Sequence, residues 1–165
     1  MNVSLIAPDS AIHLRPISEI IHAIWNDEVE VSENHFVGNS HYDYAASRIA
    51  LLETTVISHW GVWGYDMRVG ATKLKTGGIG AVATRENYRK RGLMTQAGFS
   101  FISAMREGGY DLSILQGFTH DYSRFGYVRA WTYTTYEVNV DDLDVQGQIP
   151  AFESLSLNKN DRADE

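Results

Sequence analysis

Gly77-Gly-Ile-Gly-Ala-Val-Ala-Thr84 runs straight into Arg85-Glu-Asn-Tyr-Arg-Lys-Arg-Gly-Leu-Met94. An apolar, glycine-rich strand delivers the chain into a basic turn, and the turn opens a helix. Such a junction suits a polyphosphate. The strand aims the chain, Gly92 lets the backbone come close, and the free N–H groups of the first helical turn meet the anion. Arg85, Arg89, Lys90 and Arg91 stand together, opposed by Glu86, in a chain whose formal net charge is -7. Taken alone, the cluster reads as a solvated basic turn. Beside Gly92 and a helix start it reads as a phosphate site, with the amides of residues 91–94 as donors and the Lys and Arg side chains adding charge-assisted contacts.

The pattern outward from this junction defines the rest. Upstream, residues 15–25 read as a helix, with Pro16 in its first turn and Ile17, Ile20, Ile21 and Ile24 on one face. Residues 26–40 are polar and irregular, and 40–46 suggest a second short helix. Residues 48–52 form a short strand, Glu53-Thr54 a turn, and 55–67 a second strand rich in Val, Ile, Trp and Tyr. Val69-Gly70-Ala71 turns the chain into a third strand over 72–84. Residues 92–107 form a helix whose buried stripe is Met94, Ala97, Phe101, Ile102 and Met105, stopped by Gly108-Gly109. Leu112, Ile114 and Leu115 mark a buried strand. Thr119 caps a short helix ending at Gly126. Residues 127–140 alternate strictly, as one long strand or two joined by a bend. This order gives an α/β (α+β) fold, a mixed, mostly antiparallel sheet flanked by helices. Residues 1–145 form one domain, and 146–165 form an acidic, flexible tail.

Composition narrows the classes. The 165 residues are 44% hydrophobic, enough for one domain with a core. No apolar run reaches the length of a membrane span, and Met1-Asn-Val-Ser-Leu-Ile-Ala-Pro8 lacks the features of a signal peptide. The absence of Cys excludes disulfide and thiolate chemistry and fits a cytoplasmic address. The acidic balance argues against nucleic acid as the main partner. It mildly favours a cationic substrate, although a charge kept for solubility is the simpler explanation.

Several chemistries drop out. Gly78-Ile-Gly-Ala-Val-Ala83 satisfies a dinucleotide fingerprint on paper, but that fingerprint needs a helix starting inside it, and here strand residues continue to Ala83. The six His residues show no metal-ligand spacing, so no metal is expected. For Gly77, Gly78 and Gly80 the plain reading is a bulged or bent strand. A strand that bends from its neighbour leaves N–H and C=O groups for an extended amide ligand such as pantetheine.

Tyr88-Arg-Lys-Arg-Gly-Leu-Met94 resembles the pyrophosphate-binding segment of the GNAT acetyltransferases, Arg/Gln-x-x-Gly-x-Gly/Ala. Arg89 and Gly92 match it, and Met94 departs from it. Asp121-Tyr-Ser-Arg-Phe-Gly-Tyr127 is similar to the short helix and turn that closes the family's acetyl-CoA site. The run Met67-Arg-Val-Gly-Ala-Thr-Lys-Leu-Lys-Thr-Gly-Gly-Ile-Gly80 looks most like the bacterial branch related to the enhanced intracellular survival acetyltransferases. The likeness covers residues 48–138.

The resemblance implies an N-acetyltransferase moving an acetyl group from acetyl-CoA to a primary amine by direct attack. It implies cofactor contacts from Val82, Ala83, Thr84, Arg89, Lys90, Arg91, Gly92, Leu93 and Met94. It makes Tyr122 the catalytic acid for the departing thiolate, with Tyr127 structural. The acceptor would be a small-molecule or peptide amine, with no nucleic acid or membrane partner and with homo-oligomerisation open. Glu53, His59, His120 and Asp121 are weaker candidates for a base. Two rivals share the fold: a non-catalytic acyl-CoA-binding module, and a fragment of a larger multidomain acetyltransferase.

Overall fold

The computed structural model describes residues 2–25, 28–37, 41–117, 119–132, 134–135 and 137, and among these five strands and four α-helices are found. Two units are distinguished, Met1–Val128 and Arg129–Glu165. The first holds β1 (Val3–Ile6), α1 (Ser10–Trp25), α2 (Val29–Val37), β2 (Arg48–Leu52), β3 (Thr55–Val69), β4 (Thr72–Thr84), α3 (Leu93–Glu107), β5 (Leu112–Leu115) and α4 (Thr119–Tyr122). In the second, the described residues carry no helix or strand. The strand expected over 127–140 is therefore not found at its described positions, and 133, 136 and 138–140 lie outside them, as does the whole 146–165 tail. Alternation says which face a residue would take. It does not supply a partner strand, and Val128 is 83% exposed.

The sheet order is β1-β2-β3-β4-β5, antiparallel except for the parallel pair β4–β5, which α3 connects. One face packs on α1, where Ile17, Ile20 and Ile21 meet Ile49, Leu51, Val56 and Trp63. The other packs on α3, where Ala97, Phe101 and Met105 meet Trp60, Val62 and Ile79. Val62 and Trp63 face opposite ways, as the strand period requires. The rings of Trp63 and Tyr65 lie close against the glycines of β4. A Cβ on Gly80 would come 3.1 Å from Trp63, and one on Gly78 would come 3.0 Å from Tyr65. These glycines make room for rings.

Five points depart from the sequence reading. The first helix starts at Ser10, so Pro16 lies inside it rather than in its first turn. Asp9 opens it. Its carboxylate accepts from the Ala11 N–H at 2.7 Å, and its own N–H donates to His13 Nδ1 at 2.9 Å, a reciprocal cap. Residues 26–40 contain the helix α2, held to α1 by Arg15 bonding Glu30 at 3.2 Å and Glu33 at 3.4 Å. Residues 41–46 form a turn rather than a helix. The Asp43 carbonyl accepts from the Ser47 N–H, and its carboxylate accepts from the Ala46 N–H. Finally, β1 is an unforeseen edge strand on β2, and β5 is half-buried rather than buried.

Candidate active site

The parallel pair β4–β5 joins only over Thr76–Leu112 to Ile79–Leu115. From Gly80 onward, no strand among the described residues pairs with β4 on that side. The two strands therefore part and leave a stretch of β4 backbone open. The departure coincides with a bulge. Gly61 pairs with Gly80 and His59 with Ala83, so one extra residue sits on β4, and Ala81 takes φ 48°. The irregularity read into the glycine run thus falls at the alanine that follows it.

Beyond the bulge the pairing with β3 is regular. The Arg85 N–H donates to the Ile57 carbonyl at 2.9 Å. By antiparallel alternation, Ala83 bonds toward β3, and the N–H and C=O of Thr84 point to the side β5 has left. Arg89 Nε donates to that Thr84 carbonyl at 3.2 Å. Val82 lies in the bulge, with its side chain on the α3 face.

The chain then makes one short 3-10 turn, Glu86–Tyr88, and enters α3. Lys90 has φ 59° and Gly92 has φ 75°. Two left-handed residues in three, one with a side chain, are a local strain of the kind concentrated at ligand clamps. No side chain caps α3, whose first turn bond is Gln96 N–H to the Gly92 carbonyl at 3.0 Å. The N–H groups of Leu93, Met94 and Thr95 thus open α3 without that cap. Arg89, Lys90, Arg91 and Gly92 are exposed around them. Arg91 donates to the Asn87 carbonyl at 2.9 Å and lies over the Tyr88 ring. Arg85 is committed elsewhere, to the Val56 carbonyl at 2.8 Å and Glu19 at 3.6 Å. The Met94 side chain, at the position that departs from the family pattern, packs inward against the α3-face cluster.

α4 and a 3-10 turn, Ser123–Phe125, come over the same face and close at Gly126 with φ 91°. Tyr122 is half-buried, edge-on to Trp60 at 5.9 Å and to Tyr127 at 6.2 Å between ring centroids. Val82, Met94, Leu115, Tyr122 and Phe125 share one apolar cluster. Burial, with Asp121 nearby, raises the Tyr122 phenol above its ordinary value, so it holds its proton at neutral pH. Tyr127 hydrogen-bonds Ser113. Arg124 ties this turn to α3 through Thr95 Oγ1 at 3.3 Å.

The other sequence candidates separate from this cluster. Glu53 sits at φ 55° in the β2–β3 turn. His120 and Asp121 contact each other on the surface at 3.1 Å. His59 is fully buried, with Nδ1 2.8 Å from the Ala81 carbonyl and Nε2 2.8 Å from the Tyr42 hydroxyl. A carbonyl only accepts, so Nδ1 carries the proton and Tyr42 donates to Nε2. Burial lowers the imidazole to about 4. Nothing in the sequence pairs Tyr42 with His59. A separate cavity of about 520 Å³ opens at the other end of β3, among His41, Asp43, Tyr44, Tyr65, Asp66 and Lys75.

The imidazole has a thermodynamic signature. Unfolding lets His59 return to an ordinary value near 6.5, so between 6.5 and 4 the unfolded chain binds more protons. Its contribution is complete above pH 6.5, falls with pH, and levels below 4 after a loss of about 3 kcal/mol. Urea titrations at pH 7.5 and 4.5 should show this slope in the wild type and lose it in His59→Asn. An equal slope in both proteins would reject the neutral, buried imidazole.

Among the described residues, no helix is long and apolar enough to cross a membrane, and no group of three or more His, Asp or Glu stands ready for a metal. No curated protein matches the chain closely enough to count as a relative. Many solved structures share its fold. Glucosamine-6-phosphate N-acetyltransferase from Arabidopsis thaliana is 11% identical over 84% of this chain and 100% of its own, with TM-score 0.64. A predicted acetyltransferase from Clostridium acetobutylicum, solved with acetyl-CoA, is 13% identical over 82% and 96%, with TM-score 0.67. A probable N-acyltransferase from Enterococcus faecalis is 18% identical over 77% of this chain but only 32% of its own, with TM-score 0.69. Identities this low speak to fold alone. The sequence model of the acetyltransferase (GNAT) domain matches residues 13–130, most of the chain, including β4, the basic turn, α3 and α4. The chain belongs to the GNAT acetyltransferases, and is an acyltransferase.

Proposed function

We propose that the protein transfers an acetyl group from acetyl-CoA to a primary amine by direct attack. The observation that carries this reading is the parting of β4 from β5 at Gly80, directly upstream of a basic turn and a helix start without a side-chain cap. An extended amide ligand can pair with open β4 backbone as a strand would, and the amides of residues 91–94 suit a pyrophosphate. The residues therefore fit CoA. Acetyl-CoA supplies an activated acyl group as a thioester.

The chain's own residues divide the work. Thr84 and the backbone near Val82 hold the pantetheine arm, and an N–H near Val82 polarises the acyl carbonyl. Ala83 supports that strand from the β3 side. Arg89, Lys90 and Arg91 surround the phosphates, with the Gly92, Leu93 and Met94 backbone beneath them. Tyr122 gives its proton to the leaving sulfur. The acceptor is a small-molecule or peptide amine. The run 67–80 favours the bacterial branch related to enhanced intracellular survival. Residues 1–145 serve as the catalytic domain in a cytoplasmic enzyme.

Calorimetry with CoA tests the assignment. Arg91→Glu should weaken binding by about 1–3 kcal/mol, a lost charge-assisted contact plus new repulsion. The fold should survive, because Arg91 is exposed. Unchanged affinity in both Arg91→Glu and Arg89→Glu would remove the basic turn from the phosphate site. Thiol release from acetyl-CoA across a panel of amines then identifies the acceptor.

A further inference from the structure

We propose that His59 is the positioning residue of the cofactor strand. Its imidazole N–H reaches across from β3, holds the Ala81 carbonyl in the bulge, and thereby fixes where the β4 backbone leaves β5. The proposal rests on the reading of β4 as the pantetheine strand.

The argument starts from pairing. Two steps along β3, from His59 to Gly61, are matched by three along β4, from Ala83 to Gly80. The extra residue disrupts the regular backbone ladder there. Ala81 also sits at φ 48°, a conformation that a residue with a Cβ holds only when its surroundings enforce it. The enforcing contact is visible. The Ala81 carbonyl receives a side-chain bond from His59 Nδ1 at 2.8 Å. The imidazole is itself fixed from behind by Tyr42, whose hydroxyl donates to Nε2 at 2.8 Å. Tyr42 is 6% exposed and bridges to Trp63 of β3.

A linear chain of groups results: Tyr42 O–H, imidazole, Ala81 carbonyl, bulge. Every polar atom named is satisfied, and only one tautomer of the ring satisfies them all. The rest of β4 is Val82-Ala83-Thr84, and the cofactor would meet the backbone of Val82 and Thr84. A displaced Ala81 carbonyl would rotate the peptide plane that leads into them.

CoA and adenosine 3′-phosphate 5′-diphosphate are the two probes. The second carries the nucleotide and pyrophosphate of CoA without its pantetheine. Calorimetry compares wild type, His59→Leu and His59→Asn. Leu fills the site and offers no donor, whereas the Asn side-chain N–H stands close to where ring Nδ1 stood. His59→Leu should lose tenfold or more in CoA affinity while affinity for the diphosphate probe stays unchanged. His59→Asn should recover CoA affinity to within about threefold of wild type. A packing role demands the opposite order, because Leu keeps the volume and Asn leaves a hole. Amide resonances of Val82, Ala83 and Thr84 should move in the Leu protein and return in the Asn protein.

If His59→Leu binds CoA as wild type does, or loses both probes equally, the positioning role is overturned and the pantetheine reading stands. If wild type binds CoA no more tightly than the diphosphate probe, the pantetheine reading falls and takes the positioning role with it. Should His59→Leu fail to fold, Tyr42→Phe decides. Removing the hydroxyl that fixes the ring should weaken CoA threefold or more at unchanged diphosphate affinity, and no change there overturns the role.

Discussion

Tyr122→Phe should lower turnover by about 10²–10⁴-fold while leaving affinity for acetyl-CoA almost unchanged. That loss corresponds to roughly 3–5 kcal/mol of transition-state stabilisation. The substitution removes one oxygen. The ring keeps its edge contacts with Trp60 and Tyr127, so folding stability should barely move. Because burial raises the phenol, its proton is present throughout the neutral range. The alkaline fall in kcat should therefore lie above the ordinary value of 10 and disappear in the variant. Tyr127→Phe is the control. Its hydroxyl is engaged with Ser113, and turnover should stay within a few fold. Equal activity of Tyr122→Phe and wild type on a good amine would leave solvent to protonate the thiolate.

The second large effect is on stability. Phe101→Ala should cost about 3–5 kcal/mol in urea unfolding. Phe101 and Trp60 are both 0% exposed, and their rings stack at 4.5 Å. That contact joins α3 to β3 in the same cluster as Tyr122 and Phe125 of the candidate site. A domain of this size is stable by about 5–15 kcal/mol, so the variant would stand near the unfolding limit. Phe99, two residues away, is 55% exposed. Phe99→Ala should cost about 1 kcal/mol or less. A loss below 2 kcal/mol at Phe101 would mean that the α3 face repacks freely.

Legibility followed local signal strength. β2 and β4 run as expected, because β-branched and apolar residues end at a turn or a charge: Arg48–Leu52 stops at Glu53, and Thr72–Thr84 stops at Arg85. The helix start at Gly92 was legible from glycine beside a basic turn. α2 was not. It carries Glu30 and Glu33 and exposes Val31, so it has no apolar stripe, and its place depends on Arg15 from another helix. β1 was missed because four residues are too short for a period to register. In the candidate site, Gly92 and the cations announce themselves as a motif. The His59–Tyr42 contact spans seventeen positions and belongs to pairing geometry, which no single stretch encodes.

The unpaired length of β4 also bears on how the protein behaves in a crowded solution. A sheet normally exposes its free edge at the outermost strand. Here, among the described residues, a further edge lies inside the sheet, from Gly80 to Thr84, beyond the last pairing with β5. An extended backbone whose outward groups, such as the Thr84 N–H, meet no partner strand among the described residues can template any passing strand, including the same segment of another copy. The adjoining exposed Arg89, Lys90 and Arg91 act as a guard, because two copies approaching along this edge bring like charges together. Salt screens that guard. A bound pantetheine arm would cap the edge outright. Ligand-free protein should therefore self-associate more readily as ionic strength rises, and protein saturated with CoA should resist it.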